Sequence, residues 1–238
     1  MKMTANLRVK IFADGAELES MRALYRHPLV RGFTTNPTLM RKAGVADYRT
    51  FAHSVLEAIP DRPVSFEVFA DEFEEMERQA REIGTWGHNV YVKIPITNTK
   101  RESALELIRC LVGDGIKINV TAVMTLEQVE AVSEVVRGGV PSCVSVFAGR
   151  IADTGRDPVP LMATAVDLLR DSPSAELIWA SPRELLNVFQ ADAIGCHIIT
   201  VTPELLQKLD LVGKDLDEFS LETVKMFFRD GKAAGYTL

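Results

Sequence analysis

The chain has 238 residues, 47% of them hydrophobic and 25% charged, with a formal net charge of −6. That length supports one sizeable core, and the acidic balance argues against nucleic acid as a partner, because phosphate backbones select basic faces. No run reaches the roughly 18 apolar residues of a membrane helix, and "MKMTANLRVK" lacks the apolar centre of a signal peptide. The three cysteines, Cys110, Cys143 and Cys196, are far apart and odd in number. They fit reduced thiols packed in apolar surroundings, and a cytoplasmic protein with no membrane association is expected.

Short apolar runs alternate with longer amphipathic stretches along the chain. "LRVKIF" (7–12) is followed by "AELESMRALYRH" (16–27), whose apolar residues fall three and four apart. "RGFTT" (31–35) and "VSFEVFA" (64–70) come next, and "DEFEEMERQAREIG" (71–84) again has helical spacing. "NVYVKIPI" (89–96) precedes the helical "TKRESALELIRCLVGDG" (99–115). "KINVTAV" (117–123) leads to "TLEQVEAVSEVVRGG" (125–139), which opens with the capping-box pair Thr125 and Gln128 and ends at glycine. "SCVSVFAG" (142–149) leads to "DPVPLMATAVDLLR" (157–170), with prolines confined to its start. "ELIWAS" (176–181) and "HIITV" (197–201) complete eight candidate strands rich in Val, Ile, Phe and Thr.

Strands alternating with helices imply parallel pairing with right-handed crossovers. Eight such units in this length predict a closed (β/α)8 barrel, an α/β fold forming a single domain over 1–238. An open doubly wound sheet is the alternative. Residues 215–238 read as a C-terminal helix and tail, and the run Met226, Phe227, Phe228 exceeds what one narrow apolar stripe needs. That surplus packs either across the barrel's own bottom or against a neighbouring subunit.

In such a barrel chemistry sits at the carboxyl ends of the strands. Asp14 ends the first, Thr34, Thr35 and Asn36 the second, and Glu67 lies in the third. Lys93 lies in the fourth, Asn119 and Thr121 in the fifth, the sixth carries Ser145 and leads to Arg150, and the seventh ends at Ser181 and Arg183. Lys93 is the anomaly, because a charged ammonium is rarely left in a core without a partner. A buried amine loses its proton more easily and is then a nucleophile toward carbonyls. The competing reading is an ion pair with Glu67 on the neighbouring strand.

Other chemistries find little support. The four histidines (His27, His53, His88, His197) have no metal spacing, and His197 reads as structural. Neither a GxGxxG nor a P-loop is present, so no cofactor is expected. "GRIADTGRDP" (149–158), with Arg150 and Arg156, fits either a phosphate contact or a solvated loop.

These residues resemble the transaldolase family, in the short-chain branch that includes fructose-6-phosphate aldolase. "GFTTNPTL" (32–39), "VYVKIP" (90–95), "INVTAVMT" (118–125), "SVFAGRIADTG" (145–155) and "GCHIITVTPELL" (195–206) carry the likeness, over about residues 8–210. The resemblance implies a metal-free Schiff-base mechanism with Lys93 forming an imine at C2 of a ketose donor. It implies that Asp14 handles the C4 hydroxyl proton, and that Glu67 and Thr121 hold a water serving as proton relay. Thr34, Asn36 and Ser145 match groups binding the dihydroxyacetone unit, Arg150 a phosphate-binding arginine, and Phe147 the aromatic beside the imine. The substrates so implied are sugar phosphates, and the assembly a homo-oligomer, a ring-like pentamer or decamer. Glu67 and Phe147 match the family's transferases, whereas its aldolases have Gln and Tyr there.

The likeness breaks in two places. Gly15 follows Asp14 where the family has Ser or Thr. "WASPREL" (179–185) places Pro182 and Arg183 directly after Ala180-Ser181, where the family has an aromatic residue before its second phosphate arginine. If Pro182 is a first helical residue, Arg183 lies at a helix N-terminus disposed to bind anions. The expected function is transfer of a dihydroxyacetone unit between sugar phosphates. The alternatives are an aldolase releasing free dihydroxyacetone, a transferase for a long-chain or sulfonated ketose, and a non-catalytic phosphosugar-binding barrel.

Overall fold

β-Branched runs with both faces buried leave no open sheet edge only if they close on themselves, and the computed structural model, which describes residues 6–237, closes eight of them into a barrel. The strands are β1 (Lys10–Asp14), β2 (Val30–Thr34), β3 (Val64–Glu67), β4 (Val90–Pro95), β5 (Ile118–Val123), β6 (Ser142–Val146), β7 (Ala175–Trp179) and β8 (Ile198–Val201). All neighbours are parallel, and β1 closes the ring by pairing with β8 through Lys10↔Ile198 to Ala13↔Val201. The expected (β/α)8 architecture holds, and the open sheet does not.

The outer layer comprises α1 (Leu18–Tyr25), α2 (Pro37–Lys42), α3 (Tyr48–Ala58), α4 (Phe73–Gly84), α5 (Leu105–Gly113) and α6 (Leu126–Val136). It continues with α7 (Ala148–Ala152), α8 (Pro158–Leu168), α9 (Leu186–Ala193), α10 (Pro203–Gln207) and α11 (Leu216–Ala233). The capping box of Thr125 and Gln128 forms at the start of α6. Helices α2 and α3 carry little sequence signal. The first is six residues long, and the second fully buries only Ala52 and Val55, with Tyr48, Phe51 and Leu56 partly buried against the core.

The core has two layers. The larger lies between barrel and helices, and a smaller plug of Phe12, Cys143, Ile178, Ala180 and Ile198 fills the barrel interior. Phe12 lies across the backbone of Gly32, where an added Cβ would sit 2.5 Å from the ring. Not all three cysteines are apolar fillers. Cys143 and Cys196 are buried, whereas Cys110 is exposed on α5, with its sulfur 3.8 Å from Asp114. The difference follows from helix phase, since Leu107, Ile108 and Leu111 take the inward positions of α5. His197 does pack as a structural residue, its Nδ1 accepting the Leu177 N–H at 3.0 Å on the side of the barrel remote from the strands' carboxyl ends.

Helix α11 does not pack across the barrel bottom. None of its residues is buried, and Phe219, Val224, Met226, Phe227 and Phe228 are all exposed on it. Among the described residues no helix is long and apolar enough to cross a membrane.

Gly32→Ala forces a methyl against the Phe12 ring and is expected to lower stability by about 1–3 kcal/mol, the usual cost of overpacking a close-packed core. Urea unfolding measures it. Adding Phe12→Leu to the same chain should recover part of the loss, and an unchanged midpoint in Gly32→Ala would show that the ring has room to move.

Candidate active site

Parallel register sets inward-facing side chains of adjacent strands side by side at the carboxyl end. Asp14 pairs with Thr34 across β1 and β2, and the Thr34 hydroxyl donates to Asp14 Oδ1 at 2.8 Å. Glu67 pairs with Lys93 across β3 and β4, which puts Glu67 Oε2 2.9 Å from Lys93 Nζ. Lys93 is buried, and its ammonium also donates to the Thr35 carbonyl at 3.0 Å. The ion pair weighed from the sequence is therefore present, at the base of a cavity rather than within closed packing.

Beneath it runs a polar chain. Ser145 Oγ donates to Asn119 Oδ1 at 2.7 Å, and Asn119 Nδ2 donates to Ser65 Oγ at 3.1 Å. Thr121, one strand from Lys93, has a buried hydroxyl with no hydrogen-bond partner among the described residues, although it lines the cavity. A buried unpaired hydroxyl costs free energy, which favours a polar group entering the cavity beside it. Next to it the β5–β6 register slips between Val120 and Val123, and Ala122 has φ +62°, in the left-handed region that a β-carbon disfavours. Strain of this kind in a non-glycine residue clusters at functional sites.

The end of β3 is clamped from outside the barrel. Tyr48 Oη donates to the Glu67 carbonyl at 2.7 Å, and Gln79 Oε1 accepts the N–H groups of Phe69 and Ala70 at 2.9 and 3.1 Å. Burial raises the Tyr48 phenol well above its usual value, so it stays a donor.

The loops after β6 and β7 meet over the far wall. Gly149 lies so close to the Ser181 carbonyl that a Cβ would be 1.6 Å from it, and Ser181 itself has φ +57°. Arg150 stands on α7 with its guanidinium 5.6 Å from the centre of the Phe147 ring. Arg156 instead donates to Thr154 at 2.8 Å and lies outside the cavity wall. Arg183 does not occupy a helix N-terminus. α9 begins at Leu186, because Asn187 Oδ1 accepts the N–H groups of Arg183 and Glu184 and holds 182–185 as a turn. Arg183 is committed to Asp153 by two bonds of 2.8 and 2.5 Å, with a third to the Ser181 carbonyl at 3.1 Å. The pair holds the Asp153 carboxyl below its usual range.

Asp14, Thr34, Asn36, Glu67, Lys93, Thr121, Ser145, Phe147, Arg150, Ser181 and Arg183 all line one cavity of about 530 Å³. Asn36 also caps α2, accepting the Leu39 N–H at 3.0 Å, so its turn-forming and cavity-lining roles coincide. Sequence reasoning missed Lys42, Thr200 and Thr202 in the same wall. The alternation Thr200–Val201–Thr202 at the end of β8 was the available signal for the threonines. Lys42 had none, because α2 was not foreseen.

A buried amine paired with a carboxylate, a second carboxylate across the barrel and cations at the mouth suit carbonyl chemistry on an anionic substrate. The Asp14 carboxyl is raised above its usual value, chiefly by burial and partly by Glu67, against the opposing pull of Lys93 and of the Thr34 hydroxyl. A raised carboxyl is better matched to proton transfer near neutrality than an ordinary one.

A family model described as Transaldolase/Fructose-6-phosphate aldolase matches residues 11–237. A "Probable transaldolase" of Dehalococcoides mccartyi is 34% identical over 202 residues, covering 84% of this chain and 90% of that protein. Another of the same name, from a Thermoanaerobacter species, is 33% identical over 224 residues, covering 93% and 97%. The solved dihydrodipicolinate synthase of Rhodopseudomonas palustris superposes with a TM-score of 0.57 at 14% identity, covering 94% of this chain and 79% of that one, a likeness of fold alone.

Asp14→Asn is expected to lower turnover roughly a hundredfold or more by removing the proton acceptor, yet to raise the melting temperature at pH 7. A carboxyl raised in the folded state holds its proton more tightly there than in the unfolded chain, so its ionisation opposes folding above both values. The gain should therefore be largest above the raised value and shrink as pH falls through it toward 3.8. Thermal melts of both proteins across that range check the sign.

Proposed function

We propose that this chain, which belongs to the Transaldolase/Fructose-6-phosphate aldolase family, transfers a dihydroxyacetone unit from a ketose phosphate to an aldose phosphate through an imine on Lys93. The observation that supports this reading best is Lys93 at 2.9 Å from Glu67 at the base of a cavity that also holds Asp14 and Arg150.

In this reading Glu67 takes a proton from the Lys93 ammonium, and the freed lone pair adds to the C2 carbonyl. The carbinolamine loses water and leaves an iminium, an electron sink beside C3. Asp14 removes the C4 hydroxyl proton as the C3–C4 bond breaks. The electron pair flows into the iminium to give an enamine, and the first aldose departs. An acceptor aldehyde then takes the pair, Asp14 returns its proton to the new alkoxide, and water releases the product from Lys93. Glu67 and the Thr121 hydroxyl hold the water that relays protons. Thr34, Asn36 and Ser145 hydrogen-bond the three-carbon unit, Phe147 shields the imine, and Ser181 shapes the wall. Arg150 binds the phosphate. The three-carbon carbanion equivalent survives only where few acids reach it, which fits a wall whose acidic side chains are Asp14 and Glu67.

The exposed aromatic residues of α11 support a homo-oligomer in which a neighbouring copy covers that helix. The reaction class belongs to cytoplasmic sugar-phosphate interconversion of the pentose phosphate kind.

Borohydride with fructose 6-phosphate is expected to fix the donor irreversibly on Lys93, located by mass spectrometry. A label elsewhere, with activity intact in Lys93→Met, would sink the imine. Glu67→Gln keeps a hydrogen-bonding side chain and removes the carboxylate. Transfer should fall while release of free dihydroxyacetone rises relative to it, measured with and without acceptor, and an equal drop in both would remove Glu67 from the partitioning step.

A further inference from the structure

The ladder between β2 and β3 stops at the carbonyl of Glu67. The Phe33 N–H donates to the Pro63 carbonyl at 2.8 Å, and the Thr35 N–H to the Ser65 carbonyl at 3.1 Å. Parallel rungs recur every second residue on both strands, so the next donor would be residue 37 and the next acceptor the Glu67 carbonyl. That carbonyl does point toward β2. The Val68 N–H of the same trans peptide donates the other way, to the Lys93 carbonyl on β4 at 3.1 Å. Residue 37, however, is a proline at the start of α2, and proline has no N–H to give.

The Tyr48 hydroxyl takes the missing place. It reaches from the first turn of α3 and donates to the Glu67 carbonyl at 2.7 Å. Its ring stands edge-on to Phe66, Phe69 and Trp86, with centroids 6.3, 5.6 and 5.6 Å away. Phe66 and Glu67 are consecutive in β3, so the Phe66 ring faces outward to Tyr48 and the Glu67 carboxylate inward to Lys93. The strand end is thus held from outside by a ring and a hydroxyl, while its inner face carries the carboxylate 2.9 Å from Lys93 Nζ. The Thr35 carbonyl, at the same end of β2, accepts from Lys93 itself at 3.0 Å.

We propose that Tyr48 is a positioning residue for the reaction: its hydroxyl replaces the rung that Pro37 cannot supply and fixes the peptide that aims the Glu67 carboxylate at Lys93. The proposal rests on the imine reading, in which Glu67 exchanges protons with Lys93 and with the relay water. Such transfers need hydrogen-bond reach, and a small misplacement lowers turnover more than it weakens binding. Tyr48 is not part of the cavity wall. Its influence on the reaction therefore passes through Glu67.

A double-mutant cycle of the full chain tests this, with Tyr48→Phe, Glu67→Gln and the two combined, on fructose 6-phosphate as donor and erythrose 4-phosphate as acceptor. Phenylalanine keeps the ring and its edge contacts, so the variants are expected to fold. Tyr48→Phe alone should lower kcat about fivefold, the rate equivalent of one net hydrogen bond, with the donor KM within about twofold of the parent. It should also raise release of free dihydroxyacetone relative to transfer, the direction expected of Glu67→Gln. In the Glu67→Gln chain the same substitution should change kcat by less than about twofold, because the carboxylate it serves is gone. Equal losses in the two backgrounds, a Tyr48→Phe kcat within about twofold of the parent, or a lowered kcat with the partition unmoved would overturn the role. Failure of the imine reading is a separate result, since it shows as a missing borohydride label on Lys93 in the parent chain, where Tyr48 is intact.

Discussion

The site is organised around one buried contact, the 2.9 Å pair of Lys93 and Glu67 on adjacent strands. Taking two charges out of water costs several kcal/mol per ion, and a pair repays that only with good geometry and further hydrogen bonds. Here the further bond is the Thr35 carbonyl, presented by the neighbouring end of β2. Replacing the pair by apolar residues would be the simpler way to fill a barrel. Its presence at the floor of an open cavity, above a plug of Phe12, Ile178 and Ile198, makes sense for chemistry rather than for stability.

Holding that contact in place requires rigidity at the ends of three strands. Tyr48 and Gln79 grip the chain at and after Glu67 from outside the barrel, so the carboxylate is fixed through its own backbone. On β5 the register slip and the left-handed Ala122 fall beside the inward-facing Thr121. The polar chain from Ser145 through Asn119 to Ser65 links β6, β5 and β3 beneath the amine. Each polar group in that chain finds a partner, as buried polar groups must. The Thr121 hydroxyl beside it has no partner among the described residues, and it lines the cavity.

The mouth follows a different logic. The loops after β6 and β7 are locked together by the close approach of Gly149 to the Ser181 carbonyl and by the bidentate Arg183–Asp153 pair. Only glycine permits that approach, because any Cβ would occupy the carbonyl's position. An arginine that looks from sequence like an anion ligand is thereby paired with a carboxylate on the neighbouring loop while still lining the cavity. Lys42 joins the cavity wall from a helix too short to announce itself.

The sequence by itself determined the barrel and the floor of its site. Eight β-branched runs alternating with helices favour a closed barrel over an open sheet, and period-two alternation puts Asp14, Glu67, Lys93, Thr121 and Ser145 on the inward face of their strands. Those residues act from regular strands, where local pattern dictates direction. Only the tertiary structure decided what loops and helix phase control: the exposure of Cys110, the turn that keeps Arg183 off a helix N-terminus, its capture by Asp153 thirty residues away, and the arrival of Lys42 at the mouth. The physical reason is that such partnerships depend on which chain segments meet in space, and a charge's role is set by the nearest opposite charge rather than by its neighbours in sequence.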